Sequence, residues 1–343
     1  MTRWAVVLAG GVGSRFWPLS TPQRPKQLLP LIDDAPLLRN TLDRLTPLVP
    51  AAQTLVLTNA GLVAAIGALA PELPRDNIIA EPRPAGTAAA LAFAAADIVR
   101  RAGPSATMIC VHADWSVGNP GEFRRRLAEA ATLAEQRAVL VTVGIVPSRP
   151  DPGFGYIQPG DVVEGDARRV ARFVEKPTRQ VAEQMVRDGY LWNSGIFVWR
   201  AGDFLDEIRA HTPEVAPALA AGPDIAAFFA AAKSVSVDVG VLERSSRVMV
   251  LPGDFAWDDV GTWASLRRVR ARDASDNAVN GDVHAVESRG NVVHAEDGAV
   301  VLYGVSDLVV ITRDGLTVVT TIERAADLKT LVDALPAEVR ERR

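Results

Sequence analysis

Three cations, Arg15, Arg24 and Lys26, follow closely on the glycines Gly10, Gly11 and Gly13 near the start of the chain. Glycine permits positive φ and lets backbone N–H groups approach a ligand, while the cations supply counter-charge. Together they have the chemistry of a pocket for a polyphosphate. Further along, His112-Ala113-Asp114-Trp115 places a carboxylate just beyond an apolar run. Magnesium prefers one or two protein carboxylates completed by phosphate oxygens, and Asp114 can supply one. Glu175-Lys176-Pro177 ends another apolar run, and Asn193-Ser194-Gly195 opens a further one with amide and hydroxyl groups. Adjacent residues on an extended chain face opposite ways, so Glu175 and Lys176 are expected to do separate jobs and not to pair.

These side chains need strand ends to carry them. The run Trp4 to Ala9 reads as a strand buried on both faces of a parallel sheet, breaking into the glycine turn. Leu37 to Leu48 has helical periodicity and stops at Pro47 and Pro50. Strands follow at Thr54–Leu57, Ile78–Ala80, Thr107–Val111, Ala138–Gly144, Val170–Val174, Ile196–Trp199 and Val248–Leu251, with helices interleaved. After the second of these strands, Gly86 and Thr87 precede an alanine-rich run to Arg101. Thr87 is expected to cap that helix, with its N-terminal amides turned to the ligand. In the proline-rich stretch P-S-R-P-D-P-G-F-G-Y-I, Gly155 would let backbone face a sugar closely.

The alternation predicts an α/β fold, a doubly wound Rossmann-like mixed sheet over residues 1–270 with its pocket at the strand C-termini. Beyond Arg272 the character changes to short β runs between Gly281 and Thr321, separated by Gly, Asp and Asn, with a closing helix at Ala325–Leu335. Residues 271–343 are therefore expected to form a small stacked β unit.

Hydrophobic residues make up 48% and charged residues 23% of 343, ordinary for a globular protein. A net charge of −4 gives no general basic field, so nucleic acid is not expected as a partner and an anionic ligand must be met by local cations. Lysine is scarce: of Lys26, Lys176, Lys233 and Lys329, two lie in the motifs above. The lone Cys110 excludes an internal disulfide, and the scattered histidines offer no zinc site. No leader pattern or membrane-length apolar run is visible, so a cytoplasmic protein without a membrane partner is expected.

Two better-known glycine motifs fail. No Gly-Lys-Ser/Thr ends the loop, so it is not a Walker loop. After Gly11 and Gly13 the third position of a dinucleotide fingerprint is Phe16, and Leu55-Val56-Leu57 runs into Thr58-Asn59 with no acid.

L-A-G-G-x-G-x-R-x-x-P-L-S followed by P-K-Q-L-L-P resembles the signature of the sugar-nucleotide pyrophosphorylases, the sugar-1-phosphate nucleotidyltransferases. P-A-G-T-A, F-V-E-K-P, W-N-S-G-I-F and W-D-D-V-G extend the resemblance, in order, across the first 270 residues. Within the family the sequence is most similar to the branch that joins GTP to mannose 1-phosphate, giving GDP-mannose and pyrophosphate with Mg²⁺. The resemblance implies a catalytic domain of the nucleotide-diphospho-sugar transferase type and a C-terminal left-handed β-helix-like domain, used in relatives for subunit contact, hence a possible homodimer. It implies that Leu8, Ala9, Gly10, Gly11 and Gly13 wrap the nucleotide, that Glu81, Gly86 and Thr87 recognise the base, and that Asp114 and Asp259 hold the metal. Arg15 and Lys26 are implied at the departing pyrophosphate, Lys176 at the sugar phosphate, and Gly155, Glu175 and Asn193 at the sugar. At the strand end the family usually reads Pro-x-Asp-His, so only the Asp114 role carries over. Spacing alone leaves open whether Asp258 or Asp259 is the metal ligand, the other being free to cap the helix near Thr262. Rival readings are a catalytically silent regulatory homologue, a nucleotidyltransferase for another hexose 1-phosphate, and a nicotinamide-dependent oxidoreductase, which the failed fingerprint disfavours.

Overall fold

The computed structural model describes residues 1–11 and 14–340. In chain order the elements are β1 (Arg3–Leu8), α1 (Leu37–Leu45), β2 (Thr54–Asn59), α2 (Val63–Leu69), β3 (Ile78–Glu81), α3 (Gly86–Ala102), β4 (Thr107–His112), β5 (Ser116–Val117) and α4 (Pro120–Arg137). They continue with β6 (Leu140–Ile145), β7 (Tyr156–Glu164), β8 (Ala167–Val174), α5 (Arg179–Arg187), β9 (Leu191–Arg200), α6 (Ala201–His211), α7 (Ile225–Ala231), β10 (Val248–Gly253) and β11 (Trp257–Asp258). The last are α8 (Leu266–Val269), β12 (Ala278–Val286), β13 (Val292–Tyr303), β14 (Leu308–Arg313), β15 (Leu316–Thr321), α9 (Leu328–Ala334) and α10 (Ala337–Arg340).

Backbone contacts divide the chain into two compact units: Met1–Gly10, Leu42–Ala113 and Asn119–Phe255 form one, and Gly11–Thr41, Asp114–Gly118 and Ala256–Arg343 the other. The first is built on a nine-stranded mixed sheet in the order β3-β2-β1-β4-β9-β6-β10-β8-β7. β1 to β4 pair in parallel, β9 runs antiparallel between β4 and β6, and β8 pairs antiparallel with β10 and β7. The central strands carry buried apolar runs, residues 4–7 and 108–111, because both faces are covered. Small side chains let α3 lie close on the sheet: it buries six alanines with Leu91, Phe93 and Ile98, packed with Trp199, Phe204, Phe228 and Phe229.

The second unit holds a four-stranded sheet, β12-β13-β14-β15. β12, β13 and β14 pair in parallel although only short turns separate them, with Ala278 opposite Val292 and Val292 opposite Val309. Successive parallel rungs reached without a helix mean the chain coils, which is the β-helix-like stacking expected for this region. Asn277 and Asn291 stack along it, the Asn291 amide donating to Asn277 Oδ1 at 2.9 Å and its Oδ1 accepting from the Leu308 N–H. At the corner, Gly281 has φ +92°, and a Cβ there would meet the Ala295 carbonyl oxygen at 2.1 Å. The unit's core gathers Phe16, Trp17, Leu19, Leu29 and Leu31 with Val260, Trp263, Val292 and Ile311. Buried Arg270 stitches it, donating to the carbonyls of Leu31 and Val293 and to His294 Nδ1. Among the described residues no helix is long and apolar enough to cross a membrane.

Candidate active site

The expected site residues are found in both units, and each set has its own geometry. In the second unit Lys26 stands at the centre. Pro25 opens a short 3₁₀ turn, Lys26–Leu28, whose lysine is only 6% exposed. Its ammonium donates to Asp114 Oδ2 at 3.0 Å and to the Asp259 main-chain carbonyl at 2.6 Å, with the Phe16 ring centroid 5.9 Å away. One buried cation thus gathers the Asp114 carboxylate and the Asp259 backbone around itself. Gln27 donates to the Gly11 carbonyl at 3.0 Å and anchors the glycine turn.

The neighbouring acids differ in role. Asp258 is 5% exposed, bound by Arg268 at 2.8 and 3.2 Å and accepting from the Val260 N–H at 2.9 Å. It is a structural anion of its own loop and does not cap the following helix. That task falls to a capping box between Thr262 and Ser265. Asp259 sits where Val260 takes φ +48°, a left-handed conformation costly for a β-branched residue. A Cβ at Gly261 would come 2.6 Å from Asp259 Oδ2, so a larger residue there would displace this carboxylate.

The Asp114 carboxylate, already bonded to a cationic group, suits a divalent ion that takes one or two protein carboxylates with phosphate oxygens. Among the described residues there is no group of three or more His, Cys, Asp and Glu that could hold a metal ion. Arg15 is exposed on the short turn Ser14–Phe16. Arg24 departs from the expectation of a third phosphate cation: it forms a two-pronged pair with Glu296 at 2.8 and 3.1 Å. Gly13 lies outside the described residues.

In the first unit, β1 delivers Leu8, Ala9 and Gly10. The Ala9 N–H donates to the Leu57 carbonyl at 2.8 Å and its own carbonyl accepts from Thr58 Oγ1, so its backbone is used within the sheet. A Cβ at Gly10 would lie 3.8 Å from Glu81 Oε1. Glu81 ends β3, and burial pushes its carboxyl up to about 7.

Gly86 opens α3 at φ +79°, and a Cβ there would strike the Val235 carbonyl oxygen at 2.2 Å. Thr87 does not cap the helix. Ala85 holds that position without a side-chain bond, and Thr87 Oγ1 accepts from the Val237 N–H at 2.9 Å. The expectation for Glu175 and Lys176 also fails. β8 ends at Val174, Lys176 turns to φ +43°, and its ammonium pairs with Glu175 Oε1 at 2.6 Å, both side chains exposed. Alternation holds only on extended backbone, and the chain has left it.

Gly155, Glu175 and Asn193 do come together. The Asn193 N–H donates to the Gly155 carbonyl at 2.8 Å, and a Cβ on Gly155 would lie 2.7 Å from Glu175 Oε2. This group also takes in Asp238, which accepts from Asn193 Nδ2 at 2.7 Å. Burial holds its carboxyl above the usual range, the Asn193 bond opposing and the Glu175 charge adding to it. Asp238 begins a five-residue π-helical turn, a form frequent at functional sites. In the sequence, Ser236-Val237-Asp238 resembles a family element near the sugar, though the stretch is too short to be a strong signal.

The nucleotidyl transferase family model matches residues 4–276. The mannose-1-phosphate guanylyltransferase of Escherichia coli K12 is 36% identical over 98% of this chain and 74% of its own length. Mannose-1-phosphate guanylyltransferase ManC of Salmonella typhimurium LT2 matches at the same identity and coverage. Among solved structures, one from Thermus thermophilus described as a mannose-1-phosphate geranyltransferase superposes with a TM-score of 0.88. It is 35% identical and covers 97% of this chain and 99% of its own. With a family model spanning most of its length and relatives aligned almost end to end, the chain belongs to the nucleotidyl transferase family.

Proposed function

We propose that the chain is a mannose-1-phosphate guanylyltransferase, which transfers GMP from GTP to α-D-mannose 1-phosphate and releases pyrophosphate. The observation that carries the reading is the buried Lys26 ammonium bonded to both Asp114 and the Asp259 backbone. A chain built for phosphoryl chemistry needs such a concentration of opposed charge, and the guanylyltransferase relatives supply the substrates by likeness.

In this reaction an oxygen of the sugar phosphate attacks the α-phosphorus of GTP. The new P–O bond forms as the bond to the β-phosphate oxygen breaks, and its electron pair leaves with pyrophosphate. The substrate is its own nucleophile, so the protein contributes position and charge. Mg²⁺, held by Asp114 and Asp259, would supply charge neutralisation on the phosphate oxygens. Lys26, released from Asp114, and Arg15 stabilise the departing pyrophosphate. Leu8, Ala9, Gly10 and Gly11 line the nucleotide, and Glu81, Gly86 and Thr87 recognise guanine. A carboxylate at Glu81 can accept from the two N–H donors of that base's edge. Gly155, Glu175 and Asn193 take the sugar, and Lys176 leaves Glu175 to neutralise the sugar phosphate.

A homodimer through the C-terminal sheet belongs to the same proposal. It is supported by Val286, Val301 and Tyr303, which are exposed on adjacent strands, with Val286 opposite Tyr303. The reading is tested by phosphorus NMR of the purified chain with GTP, mannose 1-phosphate and Mg²⁺. GDP-mannose and pyrophosphate should appear in equal amounts, and GTP hydrolysis without a sugar nucleotide would reject the assignment.

A further inference from the structure

The loop from Val146 to Gly155 joins β6 to β7 and carries Pro147, Pro150 and Pro152. Arg149 ties it to neighbouring rings. Its guanidinium lies 5.0 Å from the Trp192 ring centroid and 5.6 Å from that of Phe154, and those rings pack edge to face at 4.9 Å. The same guanidinium pairs with Asp151 at 2.8 Å. Asp151 is itself pinned: Tyr156 OH accepts from its N–H and donates to its carbonyl, and Asp151 Oδ1 accepts from the Gly153 N–H.

Both aromatic partners are next in sequence to residues of the sugar group. Phe154 precedes Gly155 and Trp192 precedes Asn193, and the Asn193 N–H donates to the Gly155 carbonyl at 2.8 Å. At Gly155 the fit is close, since even a methyl group would come 2.7 Å from Glu175 Oε2. A small shift of the loop therefore changes what Glu175 and Asn193 present.

We propose that Arg149 is a positioning residue for the sugar-phosphate substrate, holding Gly155 against Glu175 and Asn193 through the Phe154–Trp192 pair. This rests on the reading of those three residues as the sugar site. A planar guanidinium can cover two rings and pair with a carboxylate at once; an ammonium cannot. Charge alone is then insufficient, and Arg149→Lys should fail where a simple counter-ion role would be rescued.

The test compares wild type, Arg149→Lys and Arg149→Met. Steady-state kinetics varies each substrate separately, and hydrogen exchange follows Gly153 to Ile157. Both variants should raise KM for mannose 1-phosphate about tenfold, with KM for GTP and the melting temperature close to wild type. Amide exchange at Gly155 should quicken in both. In a Glu175→Gln background the Arg149→Lys effect on KM should shrink, because the two act on one contact. A lysine variant with wild-type KM, or an equal rise in KM for both substrates, would overturn the inference while leaving the guanylyltransferase reading intact. A wild-type chain that turns over no mannose 1-phosphate would overturn that reading and the inference with it.

Discussion

Glu81 couples the stability of the fold to pH. Its carboxyl ends β3 beside Gly10, and burial raises its pKa from an ordinary 4.5 to about 7. A carboxyl with a folded pKa above its unfolded value binds its proton more tightly when folded. The stabilisation from that proton is complete below about pH 4.5 and is lost as the pH rises through about 7. Each tenfold change in a proton equilibrium is worth about 1.4 kcal/mol, so the loss amounts to about 3 kcal/mol. Glu81→Gln removes the ionisation and keeps the shape. At pH 4 the variant and wild type should be equally stable; at pH 8 the variant should be the more stable by that amount. Over a chain of this length the gain corresponds to a melting temperature about 5 °C higher. Thermal and urea unfolding of both proteins from pH 4 to 8 measures it. A stability difference that does not change with pH would refute the buried, proton-retaining carboxyl.

The second unit and the sugar group give further expected outcomes. Lys26→Met should lower kcat about a hundredfold, yet strengthen Mn²⁺ binding to the nucleotide-free protein in electron paramagnetic resonance, because the ammonium no longer offsets Asp114. Asp114→Asn should weaken the same Mn²⁺ binding by about tenfold or more; unchanged binding would place the metal elsewhere. Asp258 and Asp259 should separate: Asp258→Asn loses the Arg268 pair and costs about 2 kcal/mol of stability with little change in Mn²⁺ affinity, while Asp259→Asn does the reverse. Lys176→Ala should raise KM for mannose 1-phosphate without raising KM for GTP, since the exposed Glu175 pair it gives up contributes little to folding.

The sheet was readable because its signals are local. The apolar run at Trp4–Ala9 became β1, the prolines after Leu45 stopped α1, and the short β runs beyond Arg272 became the coiled sheet. What escaped depended on partners distant in sequence or on departures from regular backbone. Arg24 looked like a phosphate ligand until Glu296, 272 positions on, took its guanidinium. Asp238 reaches Asn193 across 45 positions, and no spacing rule predicts that bond. The opposed faces assigned to Glu175 and Lys176 assumed a strand that had already ended, and the cap assigned to Thr87 assumed a helix beginning later than it does. Choosing between Asp258 and Asp259 needed Arg268, whose pairing shows which acid is committed to the loop. The grouping of residues 11–41 with the C-terminal residues is likewise a tertiary fact with no local signal.

Joining GTP to mannose 1-phosphate is the activity proposed for this chain. Pyrophosphate release from the wild-type protein, measured with each of the four ribonucleoside triphosphates against mannose, glucose, galactose and N-acetylglucosamine 1-phosphates, tests it directly. The highest kcat/KM should be found for GTP with mannose 1-phosphate, with no release when the sugar phosphate is omitted. Preference for another pair, or no release with any, would contradict it.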